Sequence, residues 1–143
     1  MHSLLRGTTL YASETYYNLI ETEKRALESY DEDLVRKLAK TCLRCPTALL
    51  YLEFGFWPAR FRIEEFKLNF LHQILNESES SLLFRFFEAQ HRNPVKGDWV
   101  SEVKNLLLKL DFNFTFTQIK NFKKTEFGRL INKKMESRAL VYL

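Results

Sequence analysis

The chain has 143 residues, of which 45% are hydrophobic and 15% aromatic, with thirteen Phe; that suffices for one domain burying about 70% of its unfolded surface. Four Gly and three Pro are too few for the many tight turns of a β-sandwich or barrel. No apolar run approaches the ~20 residues that cross a bilayer, and the first residues lack a signal-peptide core, so the expectation is an intracellular, non-membrane protein, cytoplasmic or nuclear.

Residues 4–20 are apolar and aromatic, with Leu10, Tyr11, Tyr16 and Tyr17, and suit one helix or a bent pair. They are either a first helix packed on the core or, within residues 1–20, the end of an upstream region. Residues 21–40 are amphipathic, with Ala26, Leu27 and Tyr30 in one patch and Leu34, Val35, Leu38 and Ala39 in another. Asp31 stands between them as the cap of a new start. Acidic residues lead (Glu21, Glu23, Glu28) and basic ones follow (Arg36, Lys37, Lys40), which complements the helix dipole.

Pro46 and Gly55 bound a short helix that is apolar nearly all round through Leu49, Leu50, Tyr51, Leu52 and Phe54, and so is expected to be buried. Pro58 restarts the chain at a first-turn position, and no Gly or Pro follows before Asn76. The resulting helix, residues 58–76, is about 28 Å long. Ile63, Phe66, Phe70, Leu71 and Ile74 form one apolar row, and Phe61, Leu68 and Leu75 a second. Rows that wide touch neighbours on two sides, so this is the central helix, with a polar edge of Arg62, Glu65, Asn69, His72, Gln73 and Asn76.

Ser80 or Ser81 opens the next helix, whose Leu83, Phe86, Phe87 and Gln90 suit one face. Asn93 to Trp99 is a loop in which Pro94 keeps Asn93 out of the helical region and Asp98 caps a helix running to about Leu110. Lys96 and the amides there could meet a phosphate. A plain structural turn is the stronger reading. Thr115 or Thr117 begins a short helix around Ile119 and Phe122, and a last helix spans residues 125–143. The fold class expected is therefore all-α, an irregular multi-helix bundle with a central long helix, in a single domain over residues 1–143.

Residues 113–143 form the basic C-terminal helices. Lys120, Lys123, Lys124, Arg129, Lys133, Lys134 and Arg138 stand against two acids, Glu126 and Glu136, which alone exceeds the net charge of +4. These cations, with Lys96, are the candidate nucleic-acid contacts, since each phosphate they meet adds salt-dependent affinity. The competing reading is a solvated outer face, the commoner meaning of a charge run. Catalytic patterns are missing: the chain has no glycine-rich phosphate loop, G-x-S-x-G or H-E-x-x-H, and adjacent Glu64 and Glu65 diverge on a helix. Cys42 and Cys45 make a lone C-x-x-C, while His2, His72 and His91 are scattered, so two free thiols and no metal or cofactor are expected.

An ordered series of short segments adds to this. Leu10 to Tyr16 reads L-Y-A-S-E-T-Y, and Asp33 to Leu38 reads D-L-V-R-K-L. Pro46, Leu50, Tyr51, Leu52, Glu53, Gly55, Pro58 and Arg60 fit P-x-x-x-L-Y-L-E-x-G-x-x-P-x-R, and Asn93 to Trp99 reads N-P-V-K-G-D-W. The series resembles the region C-terminal to the reverse transcriptase domain, thumb-proximal or post-thumb, in polyproteins of non-LTR retrotransposons. Ala12 and Tyr16 depart from it, replacing its usual glycine and tryptophan. The resemblance implies a non-catalytic piece of a mobile-element protein that assists RNA or DNA binding, with the polymerase aspartates in an upstream reverse transcriptase domain as partner. The alternative is a helical protein-interaction or structural module that packs on such an upstream domain.

Overall fold

The computed structural model describes residues 12–40, 44–55 and 57–142. It is all-α: a single 3-10 turn at Ser13–Thr15 precedes seven α-helices, with no strand among the described residues. The helices are α1 Glu21–Ala39, α2 Thr47–Phe54, α3 Ala59–Leu75, α4 Leu82–Arg92, α5 Trp99–Lys109, α6 Phe116–Asn121 and α7 Lys124–Tyr142.

The helix expected near the N-terminus is not formed over residues 12–20. Ala12 and Asn18 take positive φ of 54° and 56°, which a continuous helix cannot contain. Residues 1–11, which hold the first part of that expected helix, lie outside the described residues.

The cap expected at Asp31 is not formed either, because α1 runs through it as one helix. Leu27, Asp31 and Val35 fall four apart on the inward stripe, and Asp31 is fully buried. Its carboxylate accepts from the Tyr51 hydroxyl at 3.3 Å instead of holding a backbone amide. Glu23 accepts from the Ile20 amide at 2.9 Å to start the helix, and Lys40 ends it in the left-handed region.

Pro46 and Pro58 each stand one residue before their helix, with ψ of 130° and 148°, and Gly55 closes α2 at φ 64°. The short helix α2 is less buried than its composition suggests. Leu50 and Tyr51 pack with Val35, whereas Leu49 and Leu52 are exposed, because α1 covers only one side of it.

Helix α3 is central, packed by α1, α4, α5, α6, α7 and the 3-10 turn. Leu68 and Leu71 on it have no accessible surface, and they meet Val103 and Leu107 of α5 and Phe127, Ile131 and Met135 of α7 in one core. Its polar edge is not free throughout: His72 is buried, and its Nε2–H donates to the Phe122 carbonyl at 2.7 Å. That carbonyl can only accept, so Nε2 carries the hydrogen; the Asn76 amide donates to the His72 carbonyl at 2.9 Å.

Ser81 caps α4 by accepting from the Phe84 amide at 3.1 Å. On that helix Phe87 is buried with Leu83 and Phe84 beside it, while Phe86 is 62% exposed. A one-residue step turns a side chain by 100°, so with Phe87 pointing inward Phe86 falls at the edge of that face and stays exposed. Asp98 caps α5, and Thr115 with Gln118 makes a reciprocal capping box at α6. No helix is long and apolar enough to cross a membrane, and no group of His, Cys, Asp or Glu could hold a metal, among the described residues.

Candidate nucleic-acid interface

Helices α6 and α7 meet at Phe122 and Lys123. Phe122 is extended there, its carbonyl held by His72, and its ring stacks on Phe127 at 6.1 Å between centroids. Phe127 in turn stacks on His72 at 5.3 Å. This anchors the corner from below and leaves Lys120, Lys123 and Lys124 outward and exposed.

Further along α7, the buried stripe is Phe127, Ile131, Met135 and Ala139, each four residues on from the last. Arg129 and Lys133, also four apart, share the opposite, solvent face with Glu126 and Glu136 one turn to either side. The side chains of Lys120, Lys123, Lys124, Arg129 and Lys133 make no ion pair among the described residues.

The placement of these charges runs against helix electrostatics. The first turn of a helix carries about half a positive charge, so cations there cost a few tenths of a kcal/mol each. Helix α1 obeys the rule, with Glu21 and Glu23 at its start and Arg36 and Lys37 at its end. Helix α7 breaks it: Lys123 and Lys124 open the helix with Glu126 the one acid of the turn, and its last turn has no base. An anion at this corner would therefore meet lysines and dipole together.

Three of the expected cations stand in other surroundings. Arg138 is half-buried, donates to Glu64 at 2.6 Å and lies 5.4 Å from the Phe61 ring, so its charge is taken up within the fold. Lys134 is exposed but sits over Phe112 at 5.9 Å. Lys96 is exposed in its loop, where the amides of Val95, Asp98 and Ser101 are occupied. Asp98 accepts from the Val95 amide at 2.9 Å and from the Ser101 amide at 2.7 Å. Burial acts to raise the Asp98 carboxyl, but these amide hydrogen bonds outweigh it and hold the carboxyl below its ordinary value. The loop is pinned further where the Trp99 indole donates to the Glu14 carbonyl at 2.7 Å.

A second cationic locus was not anticipated. Between α1, α3 and α5 lies a cleft of about 90 Å³ with Lys24, Arg60, Lys67 and Lys109 in its walls. Arg60 is engaged by Glu28 and, at 2.9 Å, by Glu21. Those partners hold its guanidinium well above the ordinary arginine range, and Arg60 in return lowers the Glu21 carboxyl through hydrogen bonding and charge. Lys67 is 5% exposed and donates to Glu102 at 3.0 Å. The signal for it in the sequence was a lysine inside the apolar rows of α3, between Phe66 and Leu68.

Cys45 is a free, half-buried thiol, and Cys42 lies outside the described residues. Comparison with family models, with curated proteins and with solved structures finds no match to this chain.

Proposed function

We propose that this chain is a non-catalytic helical module that holds RNA or DNA by its phosphate backbone, as the region beyond a retrotransposon reverse transcriptase would in assisting template or target binding. The observation that carries the reading is the α6–α7 corner. Lys120, Lys123 and Lys124, followed by Arg129 and Lys133, are exposed and without carboxylate partners among the described residues, and Lys123 and Lys124 stand at the start of α7, where the dipole disfavours them. The series from Leu10 to Trp99 described above supports the assignment of class.

Five phosphate contacts would give log K a slope of about −4.5 against log salt on duplex and about −3.5 on a single strand. Between 50 and 200 mM salt, duplex affinity then falls roughly 500-fold. Fluorescence anisotropy with labelled RNA and duplex DNA measures this directly. The Lys120→Gln, Lys123→Gln, Lys124→Gln triple variant should leave a slope near −1.8 on duplex, a fall of about twelvefold over the same range. Absence of binding at 50 mM salt, or an unchanged slope in the triple variant, refutes the reading.

A second reading rests on a different observation. Leu82 and Phe86 on α4 are 69% and 62% exposed, and Leu49 and Leu52 on α2 are 57% and 50% exposed. These side chains suit docking to an upstream reverse transcriptase domain or another protein. Concentration-dependent self-association of the isolated chain, relieved by Phe86→Ser and Leu49→Ser, would favour it.

A further inference from the structure

The cleft between α1, α3 and α5 carries a site separate from the α6–α7 corner. Its most buried cation is Lys67, whose side chain is 7% exposed. An ammonium has three N–H donors, and Glu102 takes one of them at 3.0 Å. Buried donors are ordinarily satisfied, so the remaining ones require acceptors from whatever occupies the cleft.

The two carboxylates in the lining do not supply them. Glu102 already takes the Asn18 amide at 3.3 Å besides Lys67, and Glu64 takes Arg138 at 2.6 Å and Lys109 at 3.5 Å. Arg60 is likewise occupied, by Glu21 and Glu28. Lys24 has no ion pair among the described residues, and Lys109 has only that long one. Three lysines therefore line the cleft from three helices, Lys24 from α1, Lys67 from α3 and Lys109 from α5, and an ammonium has three donors, of which Glu102 takes one from Lys67 and Glu64 one from Lys109. Leu19, Ile63 and Leu106 complete the walls with apolar surface.

Point-like ammonium groups supplied by three different helices suit a tetrahedral oxyanion. A planar carboxylate is better met by the fork of an arginine. The volume of about 90 Å³ is several times what one water needs, roughly 10–15 Å³, so the cleft has room for a small oxyanion. The geometry points to this cleft as a binding site for a single phosphate group, held by Lys24, Lys67 and Lys109. The phosphate can come from a small phosphate ester or from the end of a nucleic-acid strand, and the site does not depend on the basic corner.

The test titrates the full chain with inorganic phosphate at matched ionic strength, read by calorimetry and by thermal melting. Saturable binding and a phosphate-dependent rise in Tm are expected. Lys24→Gln and Lys109→Gln, both removing amines at the cleft's walls rather than the buried Lys67, should each weaken binding about tenfold. The Lys120, Lys123, Lys124 triple variant should bind inorganic phosphate as the parent does. A melting shift no larger than that in matched chloride overturns the proposal, and so does binding lost in the triple variant but kept in the two cleft variants. Displacement of phosphate by a 5′-phosphorylated oligonucleotide but not by its unphosphorylated twin assigns the strand end as source. Displacement by glycerol phosphate alone assigns the small ester.

Discussion

Removing the charge of Glu102 should destabilise the fold more than removing the charge of its partner. The Lys67 side chain is 7% exposed and that of Glu102 is 31% exposed, so the two lose water to different degrees. Glu102→Gln keeps the shape and leaves an acceptor for the Asn18 amide, but it strands a buried ammonium. Breaking a buried pair in this way costs about 3–5 kcal/mol, and the cleft beside Lys67 sets the value near the lower end. Lys67→Met keeps the volume of the stem and leaves a carboxylate that water can reach, which costs about 1 kcal/mol or less. In a domain of this size 1 kcal/mol moves Tm by about 3 °C, so shifts near 9 °C and 3 °C are expected. The double variant should resemble Lys67→Met alone, with a coupling of about 3 kcal/mol. Urea unfolding followed by circular dichroism measures all three. Equal costs for the single variants, or strict additivity in the double one, would refute the view that burial of Lys67 sets the asymmetry.

Phe127→Ala should cost about 3–5 kcal/mol, since the ring is 1% exposed and stacks between His72 and Phe122; urea midpoints test this. The loss should extend to the corner that carries Lys123 and Lys124, lowering nucleic-acid affinity in variants that still fold. Asp98→Ala should cost about 1 kcal/mol at neutral pH by removing the α5 cap. Because the folded carboxyl lies below its ordinary value, that stabilisation is complete above the ordinary value and is lost as pH falls through the lowered one. The gap between parent and variant should accordingly close in acid, as pH-dependent melts would show. Phe86→Ser should leave stability within about 0.5 kcal/mol, as for a surface site, and a larger loss would mean the ring is covered.

The helix limits from Pro46 onward were legible because local chemistry sets them. Pro58, Ser81, Asp98 and Thr115 each act on their own next few residues, through a fixed φ or a side chain that accepts one amide, and the structure begins helices at all four. The long apolar rows of α3 likewise identified the central helix, since a stripe wider than one contact needs several neighbours. Asp31 misled for the same local reason. An aspartate is a good cap, but here a tertiary partner, Tyr51, takes its carboxylate and the helix continues. Phe86 and Leu52 misled because an apolar residue on a short helix can face either way until the packing of its neighbours is known.

By itself, then, the sequence determined the all-α class, the order and most limits of the helices, and the gathering of basic residues beyond Asn113. Only the tertiary structure decided which of those bases are at liberty. Arg138 is drawn to Glu64 on α3, Lys134 lies over Phe112, and Lys96 stands beside amides that Asp98 already holds, whereas the lysines at the α6–α7 corner meet no acid among the described residues. The cleft was beyond the reach of sequence for a related reason. Lys24, Lys67 and Lys109 are far apart along the chain, and nothing local couples them. They come to line one cleft because α3 carries α1 on one side and α5 on another.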